Sequence, residues 1–226
     1  MIQIDNVSKS YKRVGGGRRE VFRNINLTIE QTDRIAFMGP RLSGKSTLIK
    51  MITGFEQPDS GTVSRFCDIS YPIGNSSVLS SNMTGKENIA FICRVFGGDA
   101  QETTAFVQDF TGLGSALDRE VALYASDERS RLAYALSYAL PFDIYVLDGS
   151  FGSGSNDFKK KCEMLLEDRM KTAGILFATG YVSFARCFCK KVVVIDDCAL
   201  VAYDDVEAGI EHFRELKARH EQGSAA

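Results

Sequence analysis

The sequence predicts an α/β fold: a parallel-sheet core joined to an antiparallel β lobe and a helical subdomain. Three observations lead there. The glycine-containing run Gly39–Thr47 lies between a short apolar strand and a helix. A second apolar strand, Ile144–Leu147, ends in Asp148. From that point strands and helices alternate to the end, and the two halves are separated by a helical stretch over 84–140.

Taken in order, Ile2, Ile4 and Val7 open a half-alternating strand, Gly15–Gly17 with Arg18 and Arg19 interrupts it, and Ile25, Leu27 and Ile29 resume with period two. The segment reads as a hairpin whose Gly/Arg tip is a solvated turn in preference to a phosphate site. Arg34–Met38 is the next strand, and Leu48, Ile49, Met51 and Ile52 take helical spacing up to a glycine stop at Gly54. Pro58–Gly61 is a turn, followed by strand-like Thr62–Phe66 and Asp68–Tyr71. Thr84 with Glu87 forms a capping box before Ile89, Phe91, Ile92 and Val95. Gly97 and Gly98 stop that helix, a second covers Glu102–Phe110, and Ser126 caps a third carrying Leu132, Ala135, Leu136 and Ala139 on one face. The last third gives helix 157–171, strand Ile175–Ala178, helix 182–188, strands Val192–Ile195 and Ala199–Tyr203, and a helix after Asp204.

The balance of 27 Lys+Arg against 29 Asp+Glu, net charge −2, gives no broad attraction for nucleic acid or anionic lipid. No signal-like or bilayer-length apolar run is present, so membrane association is expected only through a partner. Six cysteines lie mostly in apolar runs and read as reduced thiols; Cys187 and Cys189 lack the spacing and second pair of a zinc site.

The run Gly39-Pro40-Arg41-Leu42-Ser43-Gly44-Lys45-Ser46-Thr47 fits G-x-x-x-x-G-K-[ST] in its required strand-to-helix context. Backbone N–H groups of such a loop face phosphates, Lys45 reaches the β and γ oxygens, and Ser46 is placed to ligate Mg²⁺. Asp148, at the end of an apolar strand, sits where a P-loop NTPase holds the same ion, although a strand-terminal aspartate can also serve as a plain turn residue.

With these motifs in place, the chain resembles the ATP-binding cassette (ABC) ATPases over nearly its whole length, and within them the capsular-polysaccharide and O-antigen exporter subunits. The supporting pieces are Lys9–Tyr11, Ser70–Gly74, Thr84–Asn88, Arg129–Ala133, Phe142–Asp143 and Phe158–Cys162. The resemblance implies a single nucleotide-binding domain over 1–226 with a P-loop NTPase core. Its parts are a β lobe and first core half at 1–83, a helical subdomain at 84–140, and the second core half with the C-terminal helix at 141–226. It implies that Tyr11 stacks on adenine, that the loop from Gly39 to Thr47, Asp148 and Ser126 contact MgATP, and that 84–140 faces a transmembrane permease. A second ABC subunit, identical or not, would close on the first, peripheral on the cytoplasmic face of the inner membrane. The chain ends without an extra sugar-binding domain, which favours the short capsule-type form.

Several positions depart from the family pattern. Its catalytic glutamate aligns with Gly149, its Q-loop glutamine with Ser80, its switch histidine with Gly180, and its D-loop acid with Ser155. The usual Asn-Gly of the phosphate loop reads Arg41-Leu42, and the signature turn reads Ser126–Arg129 with Asp127 and Glu128 inside it. A lost general base alone is worth about 10²–10⁴ in rate. The two carboxylates opposite a γ-phosphate would repel by about 1–4 kcal/mol. A substitute such as Asp157 stays open, and His212 and His220 read as solvated. The expectation is an exporter subunit that binds MgATP with weak or absent hydrolysis; the alternative is a non-catalytic regulatory or scaffolding cassette.

Overall fold

The computed structural model describes all residues except Val14, Ser150, Phe151, Ser153, Gly154 and 224–226. The chain forms two compact units, Met1–Ile69 with Asp143–Gly149 and Ala173–Ala226, and Ser70–Phe142 with Ser150–Thr172.

In the first unit, β1 (Ile2–Lys12) pairs antiparallel with β2 (Arg18–Ile29) and with β4 (Ser60–Arg65), giving the order β2-β1-β4. The second sheet runs β5-β6-β3-β7-β8, from β5 (Ile144–Asp148), β6 (Gly174–Ala178), β3 (Arg34–Met38), β7 (Lys191–Asp196) and β8 (Ala199–Tyr203). Its first four strands are parallel and β8 returns antiparallel, as the Asp197–Cys198 turn requires by placing both residues at positive φ. Helix α1 (Lys45–Thr53) buries Leu48, Ile49, Met51 and Ile52 in one apolar cluster with Ile4, Phe22 and Ile29 of the lobe and Ile35, Phe37, Val146 and Leu176 of the parallel sheet. Each such side chain contributes about 1.5–3 kcal/mol, so the helix that follows the glycine loop is anchored by its packing against both sheets. Helices α6 (Val182–Phe188) and α7 (Val206–Gly223) complete it.

The second unit holds α2 (Gly85–Phe96), α3 (Ala100–Thr111), α4 (Ser126–Ala139) and α5 (Asn156–Arg169). The predicted capping box closes: Thr84 Oγ1 accepts from Glu87 N at 3.1 Å, and Glu87 accepts from Thr84 N at 2.8 Å. Phe110 of α3, Tyr134 and Tyr138 of α4 and Phe158 of α5 form an edge-to-face aromatic cluster.

Four expectations change. Asp68–Tyr71 is no strand; Ile69 makes a single bridge to Ile144, because Asp68 O is taken by the N–H groups of Asp143 and Ile144 and Asp68 N by the Asp143 carboxylate. The second helix starts earlier than Glu102, since Asp99 Oδ1 accepts from Gln101 N and Glu102 N. Ser126 does not cap α4: Ala125 is the N-cap, and Glu128 folds back to accept from Ala125 N at 2.9 Å. His212 is not simply solvated, for its ring bonds Tyr203 Oη at 3.0 Å and Asp196 Oδ2 at 3.3 Å.

Candidate functional site

Parallel strands bring their carboxyl ends to one edge, and the register fixes what meets there. Ala178 is level with both Phe37 and Asp148. Beyond it, Thr179 N donates to Phe37 O at 3.0 Å and Gly149 N donates to Ala178 O at 2.9 Å. The edge therefore gathers Gly39 at the end of β3, Asp148 and Gly149 at the end of β5, and Thr179 and Gly180 at the end of β6, the position at which open α/β sheets bind ligands.

The loop from Gly39 to Gly44 is tight enough to need its terminal glycines. A Cβ on Gly39 would lie 2.5 Å from Ser43 Oγ, and one on Gly44 (φ +112°) would lie 2.5 Å from Val21 Cγ1 and 2.9 Å from Phe22 Cζ. Lys45 Nζ donates to Gly39 O at 2.6 Å and Pro40 O at 2.8 Å. Burial pushes its ammonium below the ordinary lysine value, and the charge of Asp148 opposes that shift. A half-buried cation hydrogen-bonded to two neutral carbonyls suits a polyphosphate; Ser46 and Asp148, both exposed, offer a hydroxyl and a carboxylate suited to Mg²⁺.

Leu42 occupies φ +66°, a left-handed conformation ordinarily left to glycine, and its side chain is 69% exposed. The Arg19 guanidinium donates to Leu42 O. Because little packing is at stake, Leu42→Gly is expected to raise stability by about 0.5–1 kcal/mol as the strain is relieved, measurable by urea unfolding. An unchanged or lower midpoint would show that the leucine is not strained.

The loop opens into a cavity of about 290 Å³ lined by Tyr11, Arg19, Val21, Leu42, Ser43, Gly44, Lys45, Ser46 and Thr47. The Tyr11 hydroxyl donates to the Glu56 carboxylate at 2.7 Å and lies 3.3 Å from Thr47 Oγ1. Asp59 fixes the same hairpin, accepting from Ser10 N at 3.0 Å, from Ser10 Oγ at 2.7 Å and from Arg18 at 2.8 Å. The Ser10 hydroxyl does most to lower the Asp59 pKa, from 3.8 to about 2, with Ser10 N–H, Arg18 and Lys9 assisting against desolvation. A depressed carboxylate stabilises the fold fully above its unfolded value and loses that contribution as pH falls through the folded one. The hairpin is therefore expected to lose stability between about pH 4 and pH 2. Asp59→Asn is expected to be less stable than the parent at pH 7 and to show a smaller loss on acidification, as read by urea unfolding at each pH. Equal losses in both proteins would contradict the assignment.

Of the residues singled out in the sequence, Tyr11 and Leu42–Thr47 line this cavity, Pro40 and Arg41 line a second one with Asp196 and Asp197, and Gly39, Asp148, Gly149 and Gly180 share the sheet edge. Gly149 has φ +102°, while Gly180 lies outside the left-handed region, and among the described residues a Cβ on either meets nothing within 4 Å. Ser80 and Ser126 belong to the second unit, both exposed. Ser80 is held by the buried Asn88, whose Oδ1 accepts from Ser80 N at 2.8 Å and whose Nδ2 donates to Ser80 O at 3.0 Å and Thr84 O at 2.9 Å. Asp127 pairs with Arg131 and Glu128 with Arg119, each at 2.9 Å. Each of the two carboxylates thus has a cationic partner inside its own unit, which offsets part of their charge. Ser155 is the N-cap of α5, accepting from Phe158 N at 3.3 Å. Sequence reading missed Glu56 and assigned Arg19 to a solvated turn, whereas Arg19 lies in β2 directly opposite Tyr11 and lines the cavity.

The sheet order, the glycine loop ahead of α1 and the strand-end aspartate define a P-loop α/β fold of the ATP-binding-cassette type. The fold is similar to a dimeric post-hydrolysis state of the ATP-binding cassette MJ0796 bound to ADP and Pi, with TM-score 0.70, 19% identity, and coverage of 90% of this chain and 98% of that one. Residues 22–151 match the ABC transporter family, and the chain belongs to that family. It is 35% identical over 217 residues to the polysialic acid transport ATP-binding protein KpsT of Escherichia coli, covering 95% of this chain and 96% of that one. It is 33% identical to the ATP-binding protein BexA of Haemophilus influenzae, covering 96% and 100%. It is 32% identical to the capsule polysaccharide export ATP-binding protein CtrD of Neisseria meningitidis serogroup B, covering 96% and 100%. Among the described residues, no helix is long and apolar enough to cross a membrane.

Proposed function

We propose that the chain is the nucleotide-binding subunit of a polysaccharide exporter, binding MgATP to drive or gate a membrane permease, with weak or absent hydrolysis. The observation that carries the binding part is Lys45, half-buried at the floor of a glycine loop whose cavity also takes in Tyr11. Tyr11 would stack on the base, the loop amides and Lys45 would hold the phosphates, and Ser46 and Asp148 would hold Mg²⁺, which supplies charge neutralisation between the phosphates. The export part is supported by full-length similarity to polysialic acid and capsule export proteins. Its partners in this reading are the permease and a second ABC subunit, at the cytoplasmic face of the membrane.

Weak hydrolysis follows from chemistry at the sheet edge. Neither Gly149 nor Gly180 has a side chain to polarise a water or to donate to a γ-phosphate. A second reading, a regulatory or scaffolding cassette that holds ATP as a structural ligand, is favoured by the same two glycines. Co-expression with a polysaccharide permease separates the two. The exporter reading expects a stable complex that carries Lys45-dependent nucleotide; a permease filled by another cassette pair that excludes this chain would instead support regulation.

A further inference from the structure

Glu56 lies just beyond α1, and its amide donates to Lys50 O at 3.2 Å, which turns the chain back along the helix. Its carboxylate takes the Tyr11 hydroxyl through both oxygens at 2.7 Å and the Lys9 ammonium at 3.0 Å. Lys9 is itself fixed by Gln57 O at 2.7 Å and Asp59 at 3.4 Å, and stands over one face of the Tyr11 ring, 5.5 Å from its centroid. Desolvation works to raise the Glu56 carboxyl, but the Tyr11 hydroxyl and Lys9 outweigh it and hold it ionised below its usual value. A cation against one face of an aromatic ring leaves a flat ligand the other, and a charge-assisted hydrogen bond at the ring's far end fixes its tilt.

We infer that Glu56 is a positioning residue for the base, acting through the Tyr11 hydroxyl, with Lys9 as its counter-charge. The inference rests on the nucleotide reading above. It makes the turn after α1 a determinant of how tightly the purine, and not the phosphate chain, is held.

The test compares MgATP with Mg-tripolyphosphate, which has the phosphates without the base, by titration calorimetry on the full chain. Glu56→Ala is expected to weaken ATP binding roughly five- to tenfold and leave tripolyphosphate unchanged. Tyr11→Phe, which keeps a stacking ring, should lose a similar factor, and the double variant should be no weaker than either single one. Glu56→Gln, still able to accept from the hydroxyl, should recover most of the loss. Equal weakening of both ligands would reduce Glu56 to a structural residue and overturn the inference, as would additive losses in the double variant. ATP bound equally by the parent and Glu56→Ala overturns the role of Glu56 alone, while a parent that binds no ATP overturns both this inference and the nucleotide reading.

Discussion

Lys45→Ala is expected to weaken MgATP binding about a hundredfold or more. The ammonium now donates two short hydrogen bonds to the carbonyls of Gly39 and Pro40, and its partly desolvated charge gains more from phosphate oxygens than from neutral acceptors. Hydrogen bonds to charged groups contribute about 1.5–3 kcal/mol each, and tenfold in affinity corresponds to about 1.4 kcal/mol, so one such bond and part of a second account for the factor. The variant should fold normally, because Lys45 is not among the residues of the apolar cluster that seats α1. Calorimetric titration beside urea unfolding checks both parts. A folded Lys45→Ala protein that binds ATP as the parent does would move the site elsewhere.

The second large effect concerns turnover. In the proposed reading, which puts Gly149 where the family has its general base, phosphate release is expected about 10²–10⁴ below that of an intact cassette. Restoring the acid is not a neutral change. At φ +102° an L-residue is strained by about 1–3 kcal/mol, although the Cβ itself would meet nothing within 4 Å. Gly149→Glu is therefore expected to lower stability by that amount and to recover only part of the missing rate. Gly180→His should be nearly neutral for stability, since its backbone is outside the left-handed region and its Cβ position is open. Single-turnover phosphate release and urea unfolding on the two single variants and the double variant test this directly. Full rate with unchanged stability in Gly149→Glu would show that the strand end relaxes freely.

The contrast between these two glycines shows where sequence reasoning stops. Hydrophobic period located β3, β5, β6 and β7 to within a residue or two, because each is an almost wholly buried strand of the parallel sheet. The capping box at Thr84 and the place of the glycine loop between β3 and α1 were equally legible, since both are marked by local sequence. The bridge at Ile69 was not, because Asp68 is claimed by Asp143, a partner 75 residues away in sequence. Nor could composition reveal that Leu42 and Gly149 both sit at positive φ; a leucine there is a conformation no propensity favours. The lock from Glu56 through Tyr11 to Lys9 depends on the hairpin register and on the fold-back of the turn after α1, both tertiary facts. The pairing of Asp127 with Arg131 was accessible as an i, i+4 pair on a helix, whereas that of Glu128 with Arg119 was not.

The most direct test measures nucleotide occupancy and phosphate release on the same purified sample, parent beside Lys45→Ala. The account predicts Lys45-dependent occupancy by MgATP with phosphate release at least about a hundredfold below that of an intact cassette. Lys45-dependent release at rates ordinary for an enzyme, about 1 s⁻¹ or more, would contradict it and would require a catalytic side chain elsewhere than at Gly149 and Gly180.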